Sequence, residues 1–184
     1  MAGWKDKRKI MQRYDLTAEI YNERYGEEQK AKYEATLKNA KIDNQAVLDV
    51  GCGSGLFFSE AAPTASIVIG VDISRKLLLK AKERASAFSN VFIFQADADH
   101  LPFDDQLFDV AVAFTVLQNM PKPLATLNEL KRVTRLDGRV VVTGLKKAFS
   151  LEKFLEMLDS ASFKVDSLVD DEELKCYVGL LART

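Results

Sequence analysis

Seven apolar runs of strand length recur along the chain: "AVLDVG" from Ala46, "SIVIGVD" from Ser66, "NVFIFQAD" from Asn90, "FDVAVAFTVL" from Phe108, "GRVVVTGL" from Gly138, "FKVDSLV" from Phe163 and "KCYVGLLA" from Lys175. The first five are nearly continuous in Val, Ile, Leu and Phe, as parallel strands covered on both faces should be. Between them the period changes to that of helices. "SRKLLLKAKERASAF" offers Ser74 as N-cap and Leu77, Leu78, Ala81 and Ala85 as a buried stripe. "PLATLNELKRV" places Leu124, Leu127, Leu130 and Val133 three apart, with Pro123 near the start and Asp137-Gly138 as the turn that follows. "SLEKFLEMLDSA" repeats the stripe with Leu151, Phe154, Leu155 and Leu158. Strands alternating with such helices predict right-handed βαβ units and an open, doubly wound α/β sheet with helices on both faces. The last two strands are joined only by the acidic stretch Asp170 to Glu173, too short for a helical crossover, so they should pair antiparallel. Leu16 to Ala40 reads as a polar, Tyr-rich helical arm ahead of the first strand.

Composition narrows the class. With 184 residues, 47% hydrophobic and 29% charged, the chain suits one globular domain, with an arm over 1–40 and a core over 45–184. The longest apolar stretch, Val110 to Leu117, is far below the roughly 18 residues of a membrane span. The amino terminus lacks the apolar region of a secretory signal, so a cytoplasmic protein with no membrane partner is expected. Cys52 and Cys176 form no metal or disulfide pattern, and Cys52 reads as a small turn residue rather than a nucleophile. The 26 basic and 27 acidic residues nearly cancel. Locally, Lys5, Lys7, Arg8, Lys9 and Arg13 face only Asp6, either as a frayed, solvated end or as a phosphate-contacting arm.

The candidate chemistry lies in "VLDVGCGSG", where Gly51, Gly53 and Gly55 follow the first strand. In an open α/β sheet this turn floors the ligand crevice, and glycine there permits positive φ and close backbone approach. Leu56 breaks the dinucleotide pattern GxGxxG, and no Gly-Lys-Ser/Thr follows to make a phosphate loop. Asp49 would repel a pyrophosphate and favour a ligand amino group. Asp72 ends the second strand, where a carboxylate can accept both hydroxyls of a ribose or cap the turn before Ser74. Asp97 follows the third strand, within reach of an adenine amino group, and Ala98 leaves room beside the ring.

With "VLDVGCGSG", the stretches "GVDIS", "DADHLPFDDQLFDVAVAF" and "LKRVTRLDGRVVV" appear in order between Val47 and Thr143. Together they resemble the class I S-adenosylmethionine-dependent methyltransferases, in the branch of small-molecule and quinone methylases. The resemblance implies a Rossmann-like sheet of seven strands, mostly parallel with a reversed final strand. It also implies that Asp49 and the glycines hold the methionine end of the cofactor, Asp72 the ribose and Asp97 the adenine, with Cys52, Ile73, Ala98 and Phe114 alongside. An amino-terminal "YD...Y" helix commonly forms a lid in this family. In that role Tyr14 and Tyr21 would cover the site and Arg24 would meet the cofactor carboxylate; otherwise Tyr14, Tyr21 and Tyr25 are a packing stripe.

The methyl acceptor should sit over the end of the fourth strand, beside Phe114, Thr115, Gln118 and Asn119. Gln118 either orients it or caps the strand. The Asn-Pro-Pro-aromatic motif of amino-methylating members is absent, which argues against adenine N6 or protein glutamine. His100, the only histidine, reads as a surface or supporting residue, and no metal is expected. Small molecule and RNA both stay open as acceptors, the latter with a small activating protein that covers an apolar strand or supplies basic surface. The rival function is a cofactor-binding module or inactive subunit that uses the same pocket.

Overall fold

The apolar runs become a single twisted sheet in the computed structural model. It describes residues 2–18, 21–38 and 40–183, and the side chains of 4–18, 28–38 and 40–183. Two helices come first, α1 (Ala2–Thr17) and α2 (Tyr21–Leu37). There follow β1 (Ala46–Val50), α3 (Phe58–Ala61), β2 (Ile67–Asp72), α4 (Arg75–Ala85), β3 (Val91–Gln95) and β4 (Phe108–Ala113). The chain continues through α5 (Pro123–Val133), β5 (Thr134–Leu145), α6 (Leu151–Ser160), β6 (Phe163–Val169) and β7 (Cys176–Arg183). The sheet order is β3-β2-β1-β4-β5-β7-β6. All neighbours from β3 to β5 pair parallel, whereas β7 runs antiparallel to both β5 and β6. The seven-stranded sheet with a reversed final strand is therefore present.

Alternation along the strands divides the core into two layers. Val47, Val68, Val91, Val110 and Val112 face one side, covered by Tyr33 of α2, Phe58 and Ala61 of α3, and Leu78 and Ala81 of α4. Leu48, Val50, Ile69, Val71 and Val142 face the other, covered by Leu127, Leu130 and Val133 of α5 and by Phe154 and Leu158 of α6. Ser74 caps α4 by accepting from the Leu77 N–H, and Pro123 stands in the first turn of α5.

Four expectations need correction. The basic amino terminus is neither frayed nor extended: α1 begins at Ala2, well ahead of Leu16. Leu124 faces solvent and Thr126 is buried instead, because its hydroxyl finds a carboxylate, Asp99 Oδ1, at 2.5 Å. Asp137-Gly138 is not a turn but part of β5, which starts at Thr134. A Cβ on Gly138 would come within 2.7 Å of the Asp109 carbonyl, so the missing side chain serves a close strand approach. Finally, β3 is an edge strand and only one of its faces is covered. Phe92 and Phe94 are 48% and 46% exposed on the other, with Phe94 meeting Phe103 edge to face.

Phe58 joins the core to the glycine turn. It is fully buried, and Cβ atoms added at Gly55 and Gly70 would lie 2.4 and 2.5 Å from its ring. Phe58→Ala should destabilise the fold by about 3–5 kcal/mol, the usual cost of emptying an aromatic core position, read as a lowered midpoint in urea unfolding.

Candidate functional site

Chain order reverses between β1 and β4, which pair with each other and send their crossovers to opposite sides. A crevice opens there beyond the carboxyl ends of the strands. It holds about 710 Å³ of space counted out to the surrounding solvent. One wall consists of strand ends and their turns: Val50, Gly51 and Gly53 after β1, Asp72 and Ile73 after β2, and Asp97 and Ala98 after β3. Phe114, Thr115, Asn119 and Met120 after β4 form the other, and Lys7, Ile10 and Tyr14 of α1 cross the opening.

The glycine turn needs its glycines for two reasons. Gly51, Gly53 and Gly55 all have positive φ, at 73°, 56° and 76°. In addition, a Cβ on Gly51 would stand 2.5 Å from Val116 Cγ2. The protein's own packing thus excludes side chains at Gly51 and Gly55 before any ligand enters. Gly55 lies behind the crevice wall, as does Cys52, which is buried near Gly70. Burial, with Asp49 and Asp72 nearby, pushes the Cys52 thiol well above its ordinary range, which fits a packing residue and not a nucleophile.

Asp72 caps the turn before Ser74, as one of its two expected roles has it, and also stands on the crevice wall. Oδ2 accepts from Gly53 N at 2.9 Å and Oδ1 from Ser74 N at 2.7 Å, so the carboxylate ties the glycine turn to the start of α4 while lining the crevice. Burial raises its pKa and the backbone N–H groups oppose that rise. Asp49 sits beneath the wall, 2% exposed. Burial, and then the charge of Asp72, pushes its carboxyl up to about 8. At neutral pH the ligand-free carboxyl is therefore mostly protonated.

The third acid carries a partner that sequence reasoning missed. Lys7 Nζ donates to both oxygens of Asp97, at 2.6 and 2.8 Å, and reaches Asp99 Oδ2 at 2.5 Å. Thr126 holds the other oxygen of Asp99, so β3's turn, α5 and α1 share one network. Further along α1, Asp15 Oδ1 accepts from Ser74 Oγ at 2.5 Å and from Lys76 N at 3.2 Å, a carboxylate at the N-terminus of α4. Lys7, Ile10 and Tyr14 are spaced three and four apart on one helical face. That spacing was the available signal, but the surrounding charges masked it.

Opposite, Thr115 is a β-branched residue at φ +62°, an outlier that ordinarily costs roughly 1–3 kcal/mol. Its N–H donates to Thr143 Oγ1 at 2.7 Å, and its carbonyl accepts from Asn119 Nδ2 at 2.8 Å. Asn119 also donates to the Tyr14 hydroxyl at 3.0 Å and accepts from Arg13 at 3.0 Å, which docks α1 on the β4 side. Tyr14 is thus at the crevice. The side chains of Tyr21 and Arg24 lie outside the described residues. Gln118 is not on the wall, and its Oε1 is buried without a hydrogen-bond partner among the described residues. His100 is exposed and pairs with Asp97 through the backbone. The described residues hold no cluster of metal-binding side chains and no helix long and apolar enough to cross a membrane.

Residues 48–142 match the family model described as a methyltransferase domain. A demethylmenaquinone methyltransferase of Clavibacter sepedonicus is 30% identical over 129 residues, covering 70% of this chain and 52% of that protein. The chain spans about half the length of the curated relatives it matches. A SAM-dependent methyltransferase from Aquifex aeolicus has the same fold, with a TM-score of 0.74 at 20% identity over 81% of this chain and 88% of the other. So does a structure described as a complex between the Haloferax volcanii Trm112 methyltransferase activator and a methyltransferase. Its TM-score is 0.77 at 16% identity, covering 92% and 96% of the two chains.

Two measurements on the ligand-free protein follow. Because Asp49 holds its proton to about pH 8 when folded but only to the ordinary carboxylate range when unfolded, the folded state binds more protons between those values. Its contribution to stability therefore falls as pH rises through that window, by up to about 1.4 kcal/mol per pH unit. Asp49→Asn should remove that slope, so the variant gains on the wild type between pH 5 and pH 8 in urea unfolding. Lys7→Met leaves Asp97 and Asp99 without their shared cation, and amide hydrogen exchange in α1 should quicken about tenfold or more while β1 and β4 are unchanged.

Proposed function

Because the chain belongs to the methyltransferase domain family, we propose that it transfers the methyl group of S-adenosylmethionine to a small-molecule acceptor. The observation that carries this reading is the order of groups along the crevice wall: a side-chain-free turn, a buried acid, then one carboxylate after β2 and another after β3. That order follows the cofactor from its methionine end through ribose to adenine. A carboxylate has about four acceptor sites, so beyond the N–H groups of Gly53, Ile73 and Ser74 Asp72 keeps acceptor capacity for the ribose. Gly51 and Gly53 present backbone to the methionine portion. Asp49 regains its charge beside the cofactor ammonium, since an opposite charge favours the ionised form. Asp97 faces the adenine edge with Lys7 closing behind it.

Bound S-adenosylmethionine supplies a methyl already activated by its sulfonium, so the protein contributes alignment and a dry site. Thr115 and Asn119 meet the acceptor, and the strained Thr115 backbone, held at every polar atom, keeps that contact in one geometry. Ile10, Tyr14 and Met120 exclude water from the junction. The apolar cover, together with relatives named as demethylmenaquinone methyltransferases, favours a small aromatic acceptor of quinol type.

A small protein partner is a further part of this reading. The outer face of β3 exposes Phe92 and Phe94, and a protein of the same fold is described in complex with a methyltransferase activator.

Tritiated methyl donor with 1,4-naphthoquinol, bulk RNA and protein fractions in separate reactions should label the quinol. Label in RNA alone would transfer the reading to a nucleic-acid acceptor, and donor binding without transfer to any fraction would favour the inactive module. Calorimetry should show S-adenosylmethionine affinity rising from pH 6 to pH 8, as deprotonation of Asp49 becomes easier, and Asp49→Asn should flatten that rise and weaken binding about tenfold or more.

A further inference from the structure

Helix α2 brings a buried cation to the acceptor wall. Lys32 is fully buried, and its ammonium donates to Glu28 Oε1 at 2.8 Å and to Thr115 Oγ1 at 3.0 Å. Gln29 Nε2 donates to the same Thr115 oxygen at 3.3 Å. Glu28 is shared with Lys175 at 3.0 Å, so the cluster of two ammonium groups and one carboxylate keeps one net positive charge. Burial alone would raise the pKa of Glu28, but Lys32 and Lys175 together hold it below its ordinary value, and the carboxylate stays ionised.

A hydroxyl has two lone pairs and one hydrogen. Lys32 and Gln29 fill both lone pairs of Thr115, which leaves its hydrogen to be donated. With the Gln29 amide in this orientation, none of the hydrogen bonds among the described residues has the Thr115 hydroxyl as donor, and Thr115 lines the crevice. A cation behind the oxygen strengthens such a donor, because hydrogen bonds in a chain polarise one another and charge-assisted ones are the strongest. The carboxylates of the crevice, Asp72 and Asp97, belong to the opposite wall. Among the described residues on this side, Arg13 of α1 lies on Asn119, and Lys32 and Lys175 flank Glu28.

We propose that Thr115, backed by Lys32, is the hydrogen-bond donor that holds an ionised phenol or enol oxygen of the methyl acceptor. The site then takes acceptors whose nucleophilic charge lies on oxygen or is conjugated to it, and disfavours ammonium groups, which Lys32 and Arg13 repel. Thr115 touches the acceptor, and Lys32 acts through it as a positioning residue. This inference rests on the methyl-transfer reading above.

The test uses the full chain saturated with S-adenosylhomocysteine and the chromophoric probe 4-nitro-1-naphthol, titrated with pH by absorbance. Bound probe should ionise about one pH unit lower than free probe, a tenfold preference for the anion. Thr115→Ser should keep that shift, whereas Thr115→Val, which preserves shape and backbone preference, should abolish it. Lys32→Met should reduce it likewise; if that variant does not fold, the Thr115 pair decides. No saturable binding of the probe, an unshifted probe, or a shift that survives Thr115→Val would overturn the inference. An unshifted probe would mean that the Thr115 hydrogen is spent on a turned Gln29 amide. Calorimetry of S-adenosylhomocysteine runs alongside: loss of that binding would sink the methyl-transfer reading itself, while intact binding with no probe shift sinks only the role of Thr115.

Discussion

The turn after β1 must pass between two walls that leave no room for side chains. Val116 closes on Gly51 from the β4 side and Phe58 closes on Gly55 from α3, while positive φ bends the backbone through the gap. This close approach draws the ends of β1 and β4 into one crevice floor and sets Asp49 beneath it. Asp72 then reaches the Gly53 N–H, which fixes the turn to the start of α4. Core packing and the ligand surface are therefore one structure, and the residues that shape the floor are those that would otherwise fill the core.

Electrostatics separates the two sides of the crevice. Asp49 and Asp72 lie under and on one wall in surroundings dry enough to raise both pKa values, so the fold holds acids that gain from a cationic ligand. The opposite wall has Lys32 behind Thr115 and Arg13 on Asn119. Helices α1 and α2 supply these cations, which makes them part of the site's chemistry as well as its cover. The Lys7 network and the Asp15 contact to α4 pin α1 at two points about two helical turns apart.

The sheet was readable because fully buried parallel strands leave near-continuous apolar runs, and Val47, Val68, Val110 and Val140 all fall within them. Gly51, Gly53, Asp72, Asp97 and Thr115 were readable as crevice residues because each stands at or near the carboxyl end of such a run. Cys52 and Gly55 face the core behind the crevice wall, a difference that motif spacing does not show. Leu124 and Thr126 exchange their expected places because a hydroxyl with a carboxylate partner tolerates burial. The basic run from Lys5 to Arg13 hid a helix, since a lysine reads as solvated until its carboxylates are brought to it.

By itself the sequence determined the α/β class, the reversed last strand and the glycine turn, with Asp49 before it and Asp72 and Asp97 after it, because these depend on local period and order. The tertiary structure alone decided which charges meet. Lys7 and Asp97 are ninety residues apart, and Lys32 and Thr115 eighty-three. No local pattern encodes those pairings; they arise when α1 and α2 pack over the strand ends, and the cost of burying a charge selects a partner within reach.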